Sequence, residues 1–318
     1  MRKNLNQVKI SGKVYSFGDA NGRQALELKV SGSTSKNPGT PFIGGIMQVA
    51  VDDKGLNVIP VHFTYVTEEY GKTGKKNPNF DILKKIIEEN KTWVNVGPDA
   101  AVNVRIDGAI ALNDFYNADE TLVSSKVVEG SFVSTTATLP KPEERNTFRA
   151  DMIITSATRK EANPDTETPE KVVLHGAVFN FRNEILPVDF AVVSEKGMAY
   201  FEDLEPSPKA PVYTKVWGTI DCMTKTTTVT EDSAFGEAAV RTYEKKIRDW
   251  TVTGASPENY AFDDEETITG AELQTALQNR EVYLADVKKK ADDYRASSTP
   301  AAKGTPAAPK ASVGGFNF

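Results

Sequence analysis

Two stretches of the chain interleave rings with cations. In "TEEYGKTGKKNPNF" (Thr67 to Phe80), Tyr70 and Phe80 flank Lys72, Lys75 and Lys76. In "VRTYEKKIRDW" (Val240 to Trp250), Arg241, Tyr243, Lys245, Lys246 and Arg248 lead up to Trp250. Cations neutralise phosphates, and flat rings stack on unpaired bases at about 1–3 kcal/mol each. Trp217 is a further stacking candidate, with Tyr15, Phe17 and Trp93. Each ring competes with a use in the core, and the lysine loop with a plain solvated turn. If the second stretch is a strand, Arg241, Tyr243, Lys245, Ile247 and Asp249 share one face. Lys246, Arg248 and Trp250 share the other, so that patch divides.

Other chemistries lack their parts. The two histidines, His62 and His175, and the single Cys222 cannot assemble a Cys/His zinc set. "GKT" at Gly71 to Thr73 invites a phosphate-loop reading, but Val66 stands where that motif needs its first glycine. No carboxylates are paired in a recognisable catalytic motif, so the reading is of a protein that is not an enzyme and needs no cofactor or metal. There is no helix-turn-helix, zinc finger or basic helix to read duplex DNA.

The elements that would position these residues are mostly strands. "QVKISGKVYSF" (Gln7 to Phe17) and "ALELKVSG" (Ala25 to Gly32) flank turn chemistry at Asn21-Gly22. "IGGIMQVAV" and "LNVIPVHFTYV" flank "DDKG", a hairpin signal. "NPNFDILKKIIEENKTW" (Asn77 to Trp93) has helical spacing at Ile82, Leu83, Ile86 and Ile87. "AAVNVRIDGAIALN" and "SSKVVEGSFVSTT" resume the strand pattern. Strands, one short helix and two more strands is the order of the OB-fold, a small five-stranded barrel.

The pattern recurs. "VIPVHFTYVT" (Val58 to Thr67) matches "ILPVDFAVVS" (Ile185 to Ser194), and "IDGAIALN" (Ile106 to Asn113) matches "VWGTIDCM" (Val216 to Met223). "KVSGSTSK" (Lys29 to Lys36) matches "IITSATRK" (Ile153 to Lys160) more weakly. Matches in one order predict a diverged tandem repeat. The second helix slot falls on "GMAYFEDLEPSPKAP", whose prolines argue against a full helix. The predicted fold class is mainly β: two tandem OB-like antiparallel barrels, a short helix in the first, a C-terminal helix and a disordered tail. The predicted boundaries are 1–136 and 146–256 for the barrels, 137–145 for a linker, 257–295 for an acidic segment with an amphipathic helix, and 296–318 for the tail. That helix opens on a capping box, Thr269 with Glu272, and aligns Leu273, Leu277, Leu284, Val287 and Tyr294.

The totals bound the partners. With 39% hydrophobic residues over 318 positions there is material for a core, and the net charge of −6 excludes a chain basic throughout. The start of the chain has no apolar run long enough for a signal peptide or membrane helix, and the lone cysteine fits a reducing compartment. The expected location is the cytoplasm, with no membrane partner.

OB-like strand order, the "VKISGKVYSF" strand, the repeat, and a low-complexity run ending in "GGFNF" together resemble bacterial and phage single-stranded DNA-binding proteins. The resemblance implies a non-catalytic coat on single-stranded DNA in a bacterial or phage-infected cell, serving replication, recombination or repair. It also implies that Phe318, with Phe316 two positions before it, docks replication or recombination proteins. One departure stands out: Ala296 to Phe318 has no Asp or Glu and carries Lys303 and Lys310, whereas the tips of bacterial members are acidic. The alternatives are a structural or adaptor β-protein of a virion or multiprotein complex, and an RNA-binding OB protein. A homo-oligomer is compatible with either class.

Overall fold

Alternating burial makes the first strand. In β1 (Asn6–Phe17), Val8, Ile10 and Val14 are fully buried, while Gln7 and Lys9 lie on the other side. The structure is a computed structural model that describes residues 4–19, 21–33, 35–71, 73–163, 168–231, 239–262 and 267–298. At 225–231, 239–246 and 297–298 it describes the backbone alone. A short β2 (Glu27–Val30) precedes β3 (Pro41–Ala50), β4 (Val58–Thr67), β5 (Asn103–Tyr116) and β6 (Leu122–Thr135).

β1, β3, β4, β6 and β5 close into a ring. β1 pairs antiparallel with β3 on one edge and with β5 on the other. β3 pairs with β4 and β5 with β6, and a parallel contact at Val61 and Val128 joins β4 to β6. In ring order the first strand sits between the second and fourth, and the third meets the fifth, the OB connectivity. Helix α1 (Pro78–Glu89) and a single-turn α2 (Trp93–Val96) link the third ring strand to the fourth. Asn77 caps α1 by accepting from Asn79 N, and Pro78 takes the first turn.

A second ring repeats the first. Its strands are β7 (Asn146–Lys160), β8 (Lys171–Phe179), β9 (Ile185–Val192), β10 (Val212–Glu231) and β11 (Ala239–Ala255). Antiparallel pairs β7–β8, β8–β9, β10–β11 and β7–β10, with a parallel contact of Thr251 and Ala191 between β11 and β9, give the same order. The matched segments at Val58 and Ile185 are both third strands, and those at Ile106 and Val216 lie in fourth strands. The weaker match does not correspond: Lys29 and Val30 end the edge strand β2, whereas Ile153–Lys160 belong to β7, a first strand.

The second helix slot is also filled, against expectation. Helix α3 (Glu195–Asp203) runs there, capped by Ser194 accepting from Gly197 N. The prolines at 206, 208 and 211 fall beyond its end, where they stop a helix without preventing one.

The rings are joined by strand pairing. Asn6–Ile10 of β1 pair antiparallel with Asn146–Ala150 of β7, so one sheet of eleven strands runs through both rings among the described residues. The segment before β7 is pinned: Arg145 Nε donates to Pro140 O at 2.9 Å, and its guanidinium meets Asp53 at 2.7 Å. Helix α4 (Gly270–Ser298) opens on the predicted capping box, with Thr269 N donating to Glu272 Oε2 at 2.9 Å and Glu272 N to Thr269 Oγ1 at 3.2 Å. Ile268 and Ala276 pack with Ile153, Phe179 and Tyr213 of the second ring. Farther along, Arg280 grips Asp114 of β5 with two bonds of 2.7 and 2.8 Å, so α4 bridges the rings. Among the described residues, no helix is long and apolar enough to cross a membrane.

Candidate nucleic-acid interface

The face of β2, β3 and β4 presents the first candidate surface. Ile43 is buried and Val66 packs against the core, which turns Phe42 and Tyr65 outward. Their ring centroids lie 4.5 Å apart. Lys29 stands opposite Phe42 on β2, with Glu27 at 3.5 Å. Beyond β4 the predicted basic-aromatic loop is held by its own backbone. Tyr70 N donates to Lys75 O at 2.9 Å, Asn77 N to Glu68 O at 2.8 Å, and Asn77 Nδ2 to Thr67 O at 3.0 Å. Gly74 supplies the positive φ of 60° that closes the turn. Tyr70, Lys75 and Lys76 are exposed there. Lys72 lies outside the described residues.

Phe80 does not belong to this surface. It is 4% exposed, on the inward face of α1 with Leu83 and Ile86, and it packs in the first core. The three-to-four-residue spacing that predicted the helix also turns Phe80 inward.

The second ring divides its rings between core and surface. Trp217 on β10 is 37% exposed beside Arg149 of β7, its cross-strand neighbour. Its indole lies over Gly254, where a Cβ would come within 2.5 Å of Nε1. Trp250 is corrected to a core residue: it is 6% exposed, shares an inward rung with Ile220, and packs 5.5 Å from Phe148. Arg248 is exposed and pairs in register with Cys222. Arg241, Tyr243 and Lys245 occupy alternate rungs opposite Val229, Thr227 and Lys225, and Lys246 falls on the intervening set opposite Thr224. The side chains of Arg241, Tyr243, Lys245 and Lys246 lie outside the described residues, as do Phe316 and Phe318.

Between the rings lies a cleft of about 1290 Å³. It is lined by the start of β1, by β5 and β6, by the β8–β9 turn and by Lys215 of β10, and α4 contributes Asn279, Arg280 and Tyr283 to its wall. Phe132 of β6 lines it at 60% exposure. Phe181, in the β8–β9 turn, lines it at 79% exposure, with the Arg182 guanidinium 5.0 Å from its centroid. Lys9 and Lys215 line the cleft, and so do Asp107, Glu129 and Glu184.

Among the exposed or outward rings that escaped the sequence reading are Phe42, Tyr65, Phe132 and Phe181. The alternation in "PFIGG" and "TYV" carried a signal for the first two. Phe132 sits beside inward Val133, and Phe181 beside Arg182 in a turn, so local pattern marked them too. The interface electrostatics are mixed. His62 is held below its usual range by burial, opposed by the Glu129 charge. His175 Nδ1 lies 2.7 Å from Asp189 Oδ1 on the corresponding face of the second ring. Among the described residues no three His, Cys, Asp or Glu side chains gather to hold a metal.

No curated protein matches the chain significantly. Among solved structures it is similar to a deletion mutant of the single-stranded DNA binding protein from Thermus aquaticus. That match has 12% identity and a TM-score of 0.45, covering 84% of this chain and 100% of the other. It is also similar to a replication protein A heterotrimer bound to single-stranded DNA, at 9% identity and a TM-score of 0.21, over 88% of this chain and 70% of the other. The model of the YorF family matches residues 6–290, and the chain belongs to the YorF family.

Proposed function

We propose that the protein binds single-stranded DNA without marked sequence preference and acts as a non-catalytic coat in replication, recombination or repair. The observation that carries this reading is the outward Phe42–Tyr65 ring pair on the second and third strands of an OB-connected ring. That face is the one on which OB-folds take up oligonucleotides. Tyr70, Lys75 and Lys76 extend it, and Trp217 with Arg149 offers a stacking and phosphate position on the second ring. The mechanism is electrostatic tracking of the backbone with stacking of bases, so affinity falls with salt.

The working division of the chain is 1–136 and 146–256 as the two binding units joined by 137–145, then 257–295, then 296–318. In this reading Phe316 and Phe318 capture replication or recombination proteins, and the protein works in the cytoplasm of a bacterium or a phage-infected host.

Substitution of the ring pair tests the site. Phe42→Ala with Tyr65→Ala is expected to weaken oligo-dT binding about tenfold or more, at about 1–3 kcal/mol per stacked base, with an unchanged circular dichroism spectrum. Unaltered affinity in a folded double variant would remove this face from the interface. Tighter binding to a matched RNA oligomer would move the ligand to RNA.

A further inference from the structure

β2 is an outer strand of the sheet. β3 covers one of its edges, and no strand among the described residues covers the other. Ser31 N donates to Thr40 O at 3.0 Å, just before β3, so the backbone groups of Ser31 turn toward β3. By alternation those of Lys29 and Glu27 do the same, and those of Leu28 and Val30 turn to the free edge. The Leu28 and Val30 side chains are 50% and 67% exposed. Leu28 stands opposite inward Ile43, but beyond the ring that buries Ile43. Glu27 and Lys29 share the other face with Phe42, and their charged ends lie 3.5 Å apart. An unpaired edge is a template for another strand. Here the order of residue types selects the partner. Acid, apolar, base, read from Glu27 to Lys29, is its own complement when a second copy runs antiparallel to it.

We propose that the free edge of β2 joins two copies of this chain, paired antiparallel about a twofold axis at Leu28. The Leu28 backbone groups of the two copies then bond each other across the axis. Glu27 of each copy stands opposite Lys29 of the other, and the axis generates that contact twice. Leu28 meets Leu28 on the reverse face, with Val30 diagonal to it. Centring the pair on Lys29 instead would set two lysines opposite each other, which repels. The axis is perpendicular to the sheet, so the Phe42–Tyr65 pairs of both copies come onto one continuous face. An edge of four residues makes a small joint, so the dimer forms with rising concentration rather than obligatorily. The inference stands apart from nucleic-acid binding and is tested without it.

Sedimentation velocity of the full chain over a range of concentrations, with no nucleic acid present, reads the equilibrium between monomer and dimer. Wild type is expected to dimerise as concentration rises. Glu27→Lys and Lys29→Glu each place like charges opposite one another twice, and each is expected to weaken dimerisation about tenfold. Circular dichroism checks that both variants, altered at surface positions, keep the wild-type fold. In an equimolar mixture the all-basic edge of one variant meets the all-acidic edge of the other. That mixture is expected to recover wild-type association as a mixed dimer, a result that charge contacts within one chain could not produce. A wild type that stays monomeric at the highest soluble concentration overturns the proposal. So does a dimer that the reversals leave intact, which would place the joint on another surface. A mixture that associates no better than its separate components overturns it as well.

Discussion

At the scale of single residues, neighbours decide what an aromatic or a cation does. Trp217 and Trp250 lie on adjacent strands of one ring, yet one covers Gly254 from outside and the other packs against Phe148 and Phe190. Trp217→Ala is therefore expected to weaken oligo-dT binding about fivefold or more without lowering the melting temperature appreciably. Trp250→Ala should instead cost about 3–5 kcal/mol of stability. Thermal melts beside binding isotherms separate the two, and equal loss of stability in both would contradict this assignment.

Lys126 is a cation in an unfavourable place. It reaches from β6 across to the second ring, 5.2 Å from the Phe190 centroid and 5.9 Å from that of Trp250, and donates to Asp189 O. Burial pulls its pKa from 10.5 down to about 8, against the opposing charges of Asp189 and Asp249. Below pH 8 the ammonium is charged in both folded and unfolded chains, and the full desolvation penalty is felt. Between pH 8 and 10.5 the unfolded chain binds the proton and the folded chain does not, so this group's contribution to stability rises with pH. Lys126→Met is expected to melt higher than wild type at pH 7, with the advantage shrinking toward pH 10. A difference that is constant over that range would contradict the burial argument. The type of each ring and cation was plain in the sequence. Which side it faced was legible only where a strand or helix phase could be fixed, as where alternation set Arg241, Tyr243 and Lys245 apart from Lys246, Arg248 and Trp250. Lys126, whose partners come from another ring, gave no such signal.

At the scale of elements, the repeat was legible because backbone geometry constrains it. Gly108 and Gly218, paired by sequence alone, both stand in fourth strands where the ladder register shifts. A Cβ on Gly108 would lie 2.4 Å from Glu129 O, and one on Gly218 would lie 1.9 Å from Thr251 O. Only glycine fits this approach, so both halves keep it. Gly218→Ala is expected to cost about 1–3 kcal/mol in urea unfolding, and an unchanged midpoint would show that the strand can move aside. The hairpin at Asp52–Gly55 and helix α1 were equally readable, from a turn signal and a capped apolar stripe. Helix α3 was not, because its nine residues abut a proline-rich loop and a window average blends the two. β2 lies within the strand pattern of Ala25–Gly32, but its partner was not legible. Asn21-Gly22 gives a turn, with Gly22 at φ 72°, but β2 pairs with β3 rather than with β1. A turn fixes where the chain reverses, and the partner is chosen by ring closure.

At the scale of the whole molecule, the rings are fused by a ladder and by a polar junction. Beside the β1–β7 pairing, Asn57 Nδ2 donates to Asp221 Oδ1 at 2.9 Å, and Asn57 Oδ1 accepts from Cys222 N at 2.8 Å. Asn146 Nδ2 donates to Ile220 O at 2.7 Å. Burial raises the Asp221 pKa, opposed by the hydrogen bond from Asn57. None of this could be read from the chain, since the partners are separated by up to 165 positions. A fused pair sets a fixed distance between the β2–β4 face and Trp217, which suits a ligand that spans both rings. A net charge of −6 leaves attraction to local cations such as Lys75, Lys76, Lys9 and Arg149. The most direct test of this account is a titration of the full chain with labelled oligo-dT at 50 and 200 mM salt, beside a duplex of equal length. The account predicts saturable binding to the single strand, at least tenfold weaker at the higher salt, with little binding to the duplex. Absence of single-strand binding at the lower salt, or equal binding of duplex and single strand, would contradict it.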